Sequence, residues 1–366
     1  MSEPIIPVYT PWLAKSARTY VLDCLDTGWL SSLGPYVRRF EEEFCRLCET
    51  KYAVAVSNGT TALHLALAAA KIGPGDEVIV PAMTFIASAN AVSYTGAKPV
   101  FADIDPQTWT LDIHDVERRL TSRTRAIVPV HLYGHPADMD PLLELAWSRH
   151  LYVIEDAAEA HGACYKGRPV GGLGHAGCFS FYGNKIITTG EGGMLVTNDS
   201  GLAARAALLR DHAMDARTRY FHAAIGFNYR MSNLQAALGC AQVEDLKCIL
   251  ERKRKIAEEY TARLRGIPGF TLPVEMPWAT SVYWMFSVLV EDNFGCSRSE
   301  LMQALDRKGI ETRPFFIPLH RLPPYASDEV RPMAEEIARK GVNLPSGPTL
   351  SPMDIARVCK ALASLA

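Results

Sequence analysis

Short apolar runs recur through the first half of the chain, separated by polar or helix-patterned stretches. They fall at 52–57, 77–81, 99–103, 126–131, 152–155, 178–182 and 194–197. Most are continuously apolar rather than alternating, the pattern of strands buried on both faces. Between them, apolar positions at helical spacing predict helices over 61–71, 113–120 and 140–149, with another over 37–48 before the first run. This alternation predicts an α/β unit whose mostly parallel, seven-stranded sheet is flanked by helices.

The pattern then changes. A helical stretch without proline runs from Ser232 to about Arg265. A strand over 283–290, a helix over 299–308, a short strand over 311–315 and a terminal helix from Pro352 predict a smaller α+β unit. The reading divides the chain into an arm and large unit over 1–240, and a linking helix with a small C-terminal unit over 241–366. The first ~30 residues, with Pro4, Pro7 and Pro11, read as an arm packed on the larger unit.

Length and charge narrow the function classes. The 366 residues suit about two domains. With 38 basic and 40 acidic residues the net charge is −2, so no bulk electrostatic pull toward nucleic acid or a membrane surface is expected. An anionic ligand would need a local site. No apolar run approaches the ~18 residues of a membrane span, and Met1-Ser2-Glu3-Pro4 shows no basic leader. The nine cysteines read as free thiols of a reducing cytoplasm. Cys45 and Cys48 form a CxxC on a helical stretch, with no second pair to complete a zinc site.

Three segments carry chemistry. In Ser57-Asn58-Gly59-Thr60-Thr61 a strand ends and an Ala/Leu-rich helix begins, which suits an ordinary N-cap or a phosphate held by free N–H groups. In the stretch from Val153 to Gly162, Glu155 and Asp156 follow an apolar strand directly, where α/β sheets place ligand crevices. The spacing of Asp156, Glu159 and His161 matches no standard metal-ligand set. In the stretch from Ser180 to Gly193, Lys185 ends an aromatic, apolar run before a glycine turn. Desolvation there lowers an amine's pKa and equips it to form a Schiff base. A phosphate cradle, a carboxylate and a Schiff-base lysine are the parts that hold pyridoxal phosphate.

On these segments the chain resembles the fold-type I pyridoxal-phosphate aminotransferases of nucleotide-linked keto-sugars, the DegT/DnrJ/EryC1/StrS family. The resemblance runs from about Pro7 to the C-terminus. It implies that Lys185 carries the cofactor and that Asp156 pairs with the pyridine nitrogen. Gly59, Thr60 and Ser180 would contact the phosphate, and Phe85 would stack on the ring. Glu159 would lie near the ring, where the commoner family residue is glutamine or histidine. Asn228 and Arg230 would reach the cofactor phosphate of a neighbouring subunit, which implies a homodimer with sites at the interface. Arg313, His320 and Ser31 would contact substrate, the Arg313 guanidinium being suited to a donor carboxylate.

Trp29-Leu30-Ser31-Ser32, His131-Leu132-Tyr133-Gly134 and Gly341-Val342-Asn343-Leu344-Pro345-Ser346 are most similar to members that aminate GDP-4-keto-6-deoxy-mannose at C4. The implied reaction moves an amino group from glutamate to that sugar in the cytoplasm, or alternatively to a UDP- or dTDP-linked one. A sugar 3-dehydratase of this kind would carry histidine at position 185. A nicotinamide dehydrogenase would show GxGxxG after the first strand, and neither feature is present. A non-enzymatic cofactor-binding regulator would lack turnover with glutamate.

Overall fold

The computed structural model describes residues 4–215 and 217–366; residues 1–3, read above for a leader, lie outside them. Helices α1 (Ala17–Thr27) and α2 (Pro35–Cys48) precede an α/β unit. Its strands are β1 (Tyr52–Val56), β2 (Glu77–Pro81), β3 (Lys98–Ala102), β4 (Thr124–Ile127) and β5 (Tyr152–Asp156). Helices α3 (Gly59–Ala69), α4 (Ala87–Tyr94), α5 (Ile113–Arg119) and α6 (Met139–Arg149) connect them. Strands β6 (Cys164–Tyr165) and β7 (Arg168–Pro169), then β8 (Ala176–Ser180), β9 (Gly193–Thr197) and helix α7 (Ser200–Arg210), follow.

The seven runs predicted as strands form one seven-stranded sheet of order β1-β9-β8-β5-β4-β2-β3. The β2–β3, β2–β4, β4–β5 and β5–β8 pairings are parallel, whereas β9 runs antiparallel to both neighbours. Every residue of β2, β8 and β9 is buried, as the continuous apolar runs require.

Helix α8 (Asn233–Leu264) is opened by a reciprocal cap between Ser232 and Gln235. It serves two cores. Cys240, Leu246 and Ile249 join the core of the large sheet, and Ile256, Ala257, Tyr260 and Leu264 join a second core. That second core is built with β10 (Phe270–Thr271), β12 (Phe286–Val290), β13 (Arg313–Pro314) and β14 (Gly341–Leu344), which form a four-stranded antiparallel sheet. Helices α9 (Arg298–Arg307), α10 (Pro332–Lys340) and α11 (Pro352–Ala363) flank it, and β11 (Ala279–Thr280) pairs instead with β6.

The strand expected over 283–290 begins only at Phe286, because Tyr283 takes a left-handed φ of 46° that breaks the pleat. The arm meets both units, Tyr9 and Trp12 packing against the core of the large sheet as expected. Ile6 pairs with Ile310, and Val8 accepts from the Ser346 N–H at 3.0 Å, so its start packs on the C-terminal unit. Further on, Trp12 Nε1 donates to Asp245 of α8 at 2.8 Å.

Glu155 fixes the edge on which the candidate site stands. Its fully buried carboxylate accepts from the N–H groups of Gly171, Leu173 and Gly174 at 2.7, 2.8 and 2.7 Å. His131 Nδ1 accepts from Ala137 N–H at 3.0 Å, so Nε2 carries the ring proton and donates to Glu155 at 3.0 Å. A buried charge this well bonded is tolerated. Strand alternation turns the next side chain, Asp156, to the opposite face.

Candidate active site

Asp156 ends β5 and is buried. Its Oδ2 accepts from Ser88 Oγ at 2.7 Å and its Oδ1 from Ala158 N–H at 3.2 Å. Burial pushes its carboxyl above the usual range, against the Ser88 and Ala158 bonds and the nearby Lys185 charge, which pull it back. Ser88 belongs to α4, three residues after Phe85, and sequence reasoning missed it; the one-turn spacing from Phe85 was the available signal.

Lys185 lies beyond β8 in a turn closed by its own N–H donating to Tyr182 O at 2.9 Å. Its side chain is 12% exposed, and Nζ stands 3.6 Å from Glu159 Oε1. Nζ also sits 3.9 Å from the centroid of the Trp284 ring. Burial lowers its amine pKa, the Glu159 and Asp156 charges raise it, and Arg313 lowers it further. Glu159 is buried, and its Oε2 accepts from Tyr133 N–H at 2.8 Å. Burial pushes its carboxyl up to about 7, against the pull of Lys185. Amine and carboxylate are therefore both driven toward neutrality by desolvation and held charged chiefly by each other.

The segment expected to cradle a phosphate lies where β1 gives way to α3. Asn58 accepts from Thr61 N–H at 2.9 Å and Thr61 Oγ1 accepts from Asn58 N–H at 3.2 Å, which locks the helix start. Among the described residues neither Gly59 N–H nor Thr60 N–H has a partner in the chain, and both lie at the positive end of the helix dipole. A Cβ on Gly59 would meet Ser180 Cβ at 2.7 Å, so the cradle is closed by Ser180 and admits only glycine at that point. Phe85 is 55% exposed, beside Phe316 with ring centroids 5.9 Å apart, which leaves a face available for a ligand.

The other expected residues divide. Arg313 is exposed, and its charge is felt at Lys185. Arg230 donates to Asn228 Oδ1 at 2.9 Å and pairs with Asp211, in a segment whose Tyr229 O accepts from Ser57 N–H at 2.8 Å. Ser31 is exposed, and its carbonyl accepts from Asn233 N–H at 2.9 Å at the start of α8. The His320 ring has no exposed surface and Nε2 meets Glu335 of α10 at 2.9 Å, while Nδ1 has no partner among the described residues. Trp284 was not anticipated at all.

A family model, the DegT/DnrJ/EryC1/StrS aminotransferase family, matches residues 11–363. The chain belongs to that family. It is 49% identical over 363 residues to the GDP-perosamine synthase of Caulobacter vibrioides, covering 98% of both chains. It is 46% identical over 358 residues to the GDP-perosamine synthase of Escherichia coli O157:H7, covering 98% of this chain and 97% of that one. Among solved structures, S. venezuelae DesV in complex with a ketimine intermediate matches with a TM-score of 0.92 and 41% identity, over 99% of this chain and 98% of that one. The family's cofactor is pyridoxal phosphate, and the residues here fit it: a helix N-terminus with unpartnered N–H groups beside Ser180, a buried carboxylate with spare acceptor capacity, and a desolvated amine that feels that carboxylate's charge. No helix among the described residues is long and apolar enough to cross a membrane.

Proposed function

We propose that this aminotransferase moves an amino group from glutamate to GDP-4-keto-6-deoxy-mannose, giving GDP-perosamine. The observation that carries the sugar assignment is whole-length identity of 46–49% to two proteins named for that product. In this reading Lys185 holds the cofactor, Asp156 its pyridine nitrogen, the Gly59 and Thr60 N–H groups with Ser180 its phosphate, and Phe85 its ring face. When bound, pyridoxal phosphate supplies an electron sink for the carbanion formed at the donor's Cα.

The chain's own groups do the rest. Lys185 Nζ takes the Cα proton and returns it within the same site, burial lowering the amine's pKa and so favouring the neutral form that accepts a proton. Asp156 keeps a proton on its heterocyclic partner by offering a buried carboxylate that Ser88 and Ala158 orient. Arg313 takes the donor carboxylate. The working unit is a homodimer in the cytoplasm, with Asn228 and Arg230 completing a neighbour's cradle and Ser31 near its substrate.

The test is a panel of GDP-, UDP- and dTDP-linked 4-keto-6-deoxy sugars with glutamate, with products read by mass and NMR. The GDP sugar is expected to give the highest kcat/KM, and changing the nucleotide should raise KM mainly. Faster turnover of a UDP or dTDP sugar would leave the aminotransferase and remove the perosamine assignment.

A further inference from the structure

Two left-handed turns interlock beside Lys185. In one, Tyr133 has φ 53° and Gly134 φ 96°; in the other, Tyr283 has φ 46°. A Cβ on Gly134 would stand 2.8 Å from Trp284 N, so the turns meet backbone to backbone. Val282 N–H and Ser281 Oγ–H both donate to Gly134 O at 3.1 Å. Bulky residues held at positive φ store strain that the surroundings must impose, and such strain collects at working sites.

Each turn delivers one group to the Lys185 amine. Tyr133 N–H holds Glu159, and the bend at Tyr283 brings the Trp284 ring face to Nζ. Trp284 is fixed at both ends. Its Nε1–H donates at 2.7 Å to the carbonyl of Asn184, the residue before Lys185, and its own carbonyl accepts from Lys253 Nζ at 3.0 Å. Lys253 projects from α8, is 1% exposed, and donates also to Ser346 O.

We propose that Trp284 is a positioning residue whose ring face holds the unlinked Lys185 amine in the site as a cation, and that Lys253 positions Trp284 by its backbone. The inference rests on the reading of Lys185 as the cofactor-bearing lysine. That lysine is released from its link in the first half-reaction and regains it only at the end of the second, so it must stay close while it carries a proton. The groups that bear on its charge are Glu159 and Asp156, which favour the cation, and Arg313 and burial, which oppose it. His161 lies close by but is neutral, its ring pushed down to about 3 by burial. The indole face adds a directional attraction for the cation at a point the carboxylates do not cover.

The full-length chain is loaded with pyridoxamine phosphate, which leaves Lys185 unlinked. The pH dependence of its acetylation by trace acetic anhydride is read by peptide mass, with exposed Lys98 as the internal reference. In Trp284→Leu the midpoint of Lys185 is expected to fall by about one pH unit. Trp284→Phe, which keeps a ring and most of the volume, should fall by about half as much, and Lys253→Met should move it in the same direction. An unchanged or raised midpoint in Trp284→Leu, with the parent's circular dichroism, overturns the proposal; if that variant does not fold, an unchanged midpoint in Trp284→Phe does so. Loading with pyridoxal phosphate, reducing with borohydride and mapping the label tests the underlying reading separately. Label on another lysine would sink that reading while the acetylation midpoints still decide the clamp.

Discussion

Glu155 and Asp156 are adjacent carboxylates with different work. Glu155 spends its lone pairs on three backbone N–H groups and His131, whereas Asp156 accepts from two donors and keeps capacity toward the site. Asp156→Asn leaves the volume unchanged and removes the charge. Its kcat is expected to fall about 10²-fold or more, with a smaller loss of cofactor affinity; single-turnover absorbance and cofactor titration would separate the two. Near-parental rates would make Asp156 a structural acid. Lys253 offers a second test. Burial brings its amine from 10.5 down to about 7 in the folded chain. Between those values an unfolded chain keeps a proton that the folded chain has released, so this group's contribution to stability rises with pH across that window. The Tm of the parent minus that of Lys253→Met should therefore climb from pH 7 to pH 10, and parallel curves would refute the burial account. Lys185 and Asp156 were legible in the sequence because each belongs to a contiguous segment at a strand end. Trp284 was not, since it lies 99 residues after Lys185 and meets it only through the bend at Tyr283. The burial of His320 was not legible, because a polar residue inside a matching phrase carries no signal of packing against its own chain.

At the level of elements, the start of α3 is the most constrained feature. Gly59→Ala would drive a methyl into Ser180 and displace one of the two open N–H groups. Its pyridoxal phosphate Kd should rise about 10- to 100-fold, equivalent to about 1.4 to 2.8 kcal/mol. The Tm of the cofactor-free protein should move less than that of the loaded one; equal shifts would mean general damage rather than a lost cradle. The seven strands of the large sheet were readable because burial on both faces makes their runs continuous. Helix α4 was not, because Ala87, Ser88, Ala89 and Ala91 pack by being small and leave only a weak apolar stripe. β13 is two residues long, too short for any pattern to bound.

For the whole molecule, α8 is the common member. Its 32 residues extend about 48 Å at 1.5 Å per residue, long enough to floor both cores. A homodimer whose sites cross the interface makes a specific demand. Mixing inactive Lys185→Ala subunits with inactive Asn228→Ala subunits should restore about a quarter of parental activity under random exchange, because half the subunits enter hybrids and each hybrid keeps one intact site. No recovery, with exchange confirmed by mass, would place Asn228 in its own chain's site. The arm imposes an order in time as well. Tyr9 Oη donates to the carbonyl of Lys185 at 2.9 Å, while its neighbour Ile6 pairs with Ile310. Those partners are 304 residues apart, so at ~5–20 residues per second the ribosome makes Ile310 about 15–60 s after Ile6. The arm that tethers the Lys185 carbonyl is therefore synthesised early but completes its own packing only after the C-terminal unit is made.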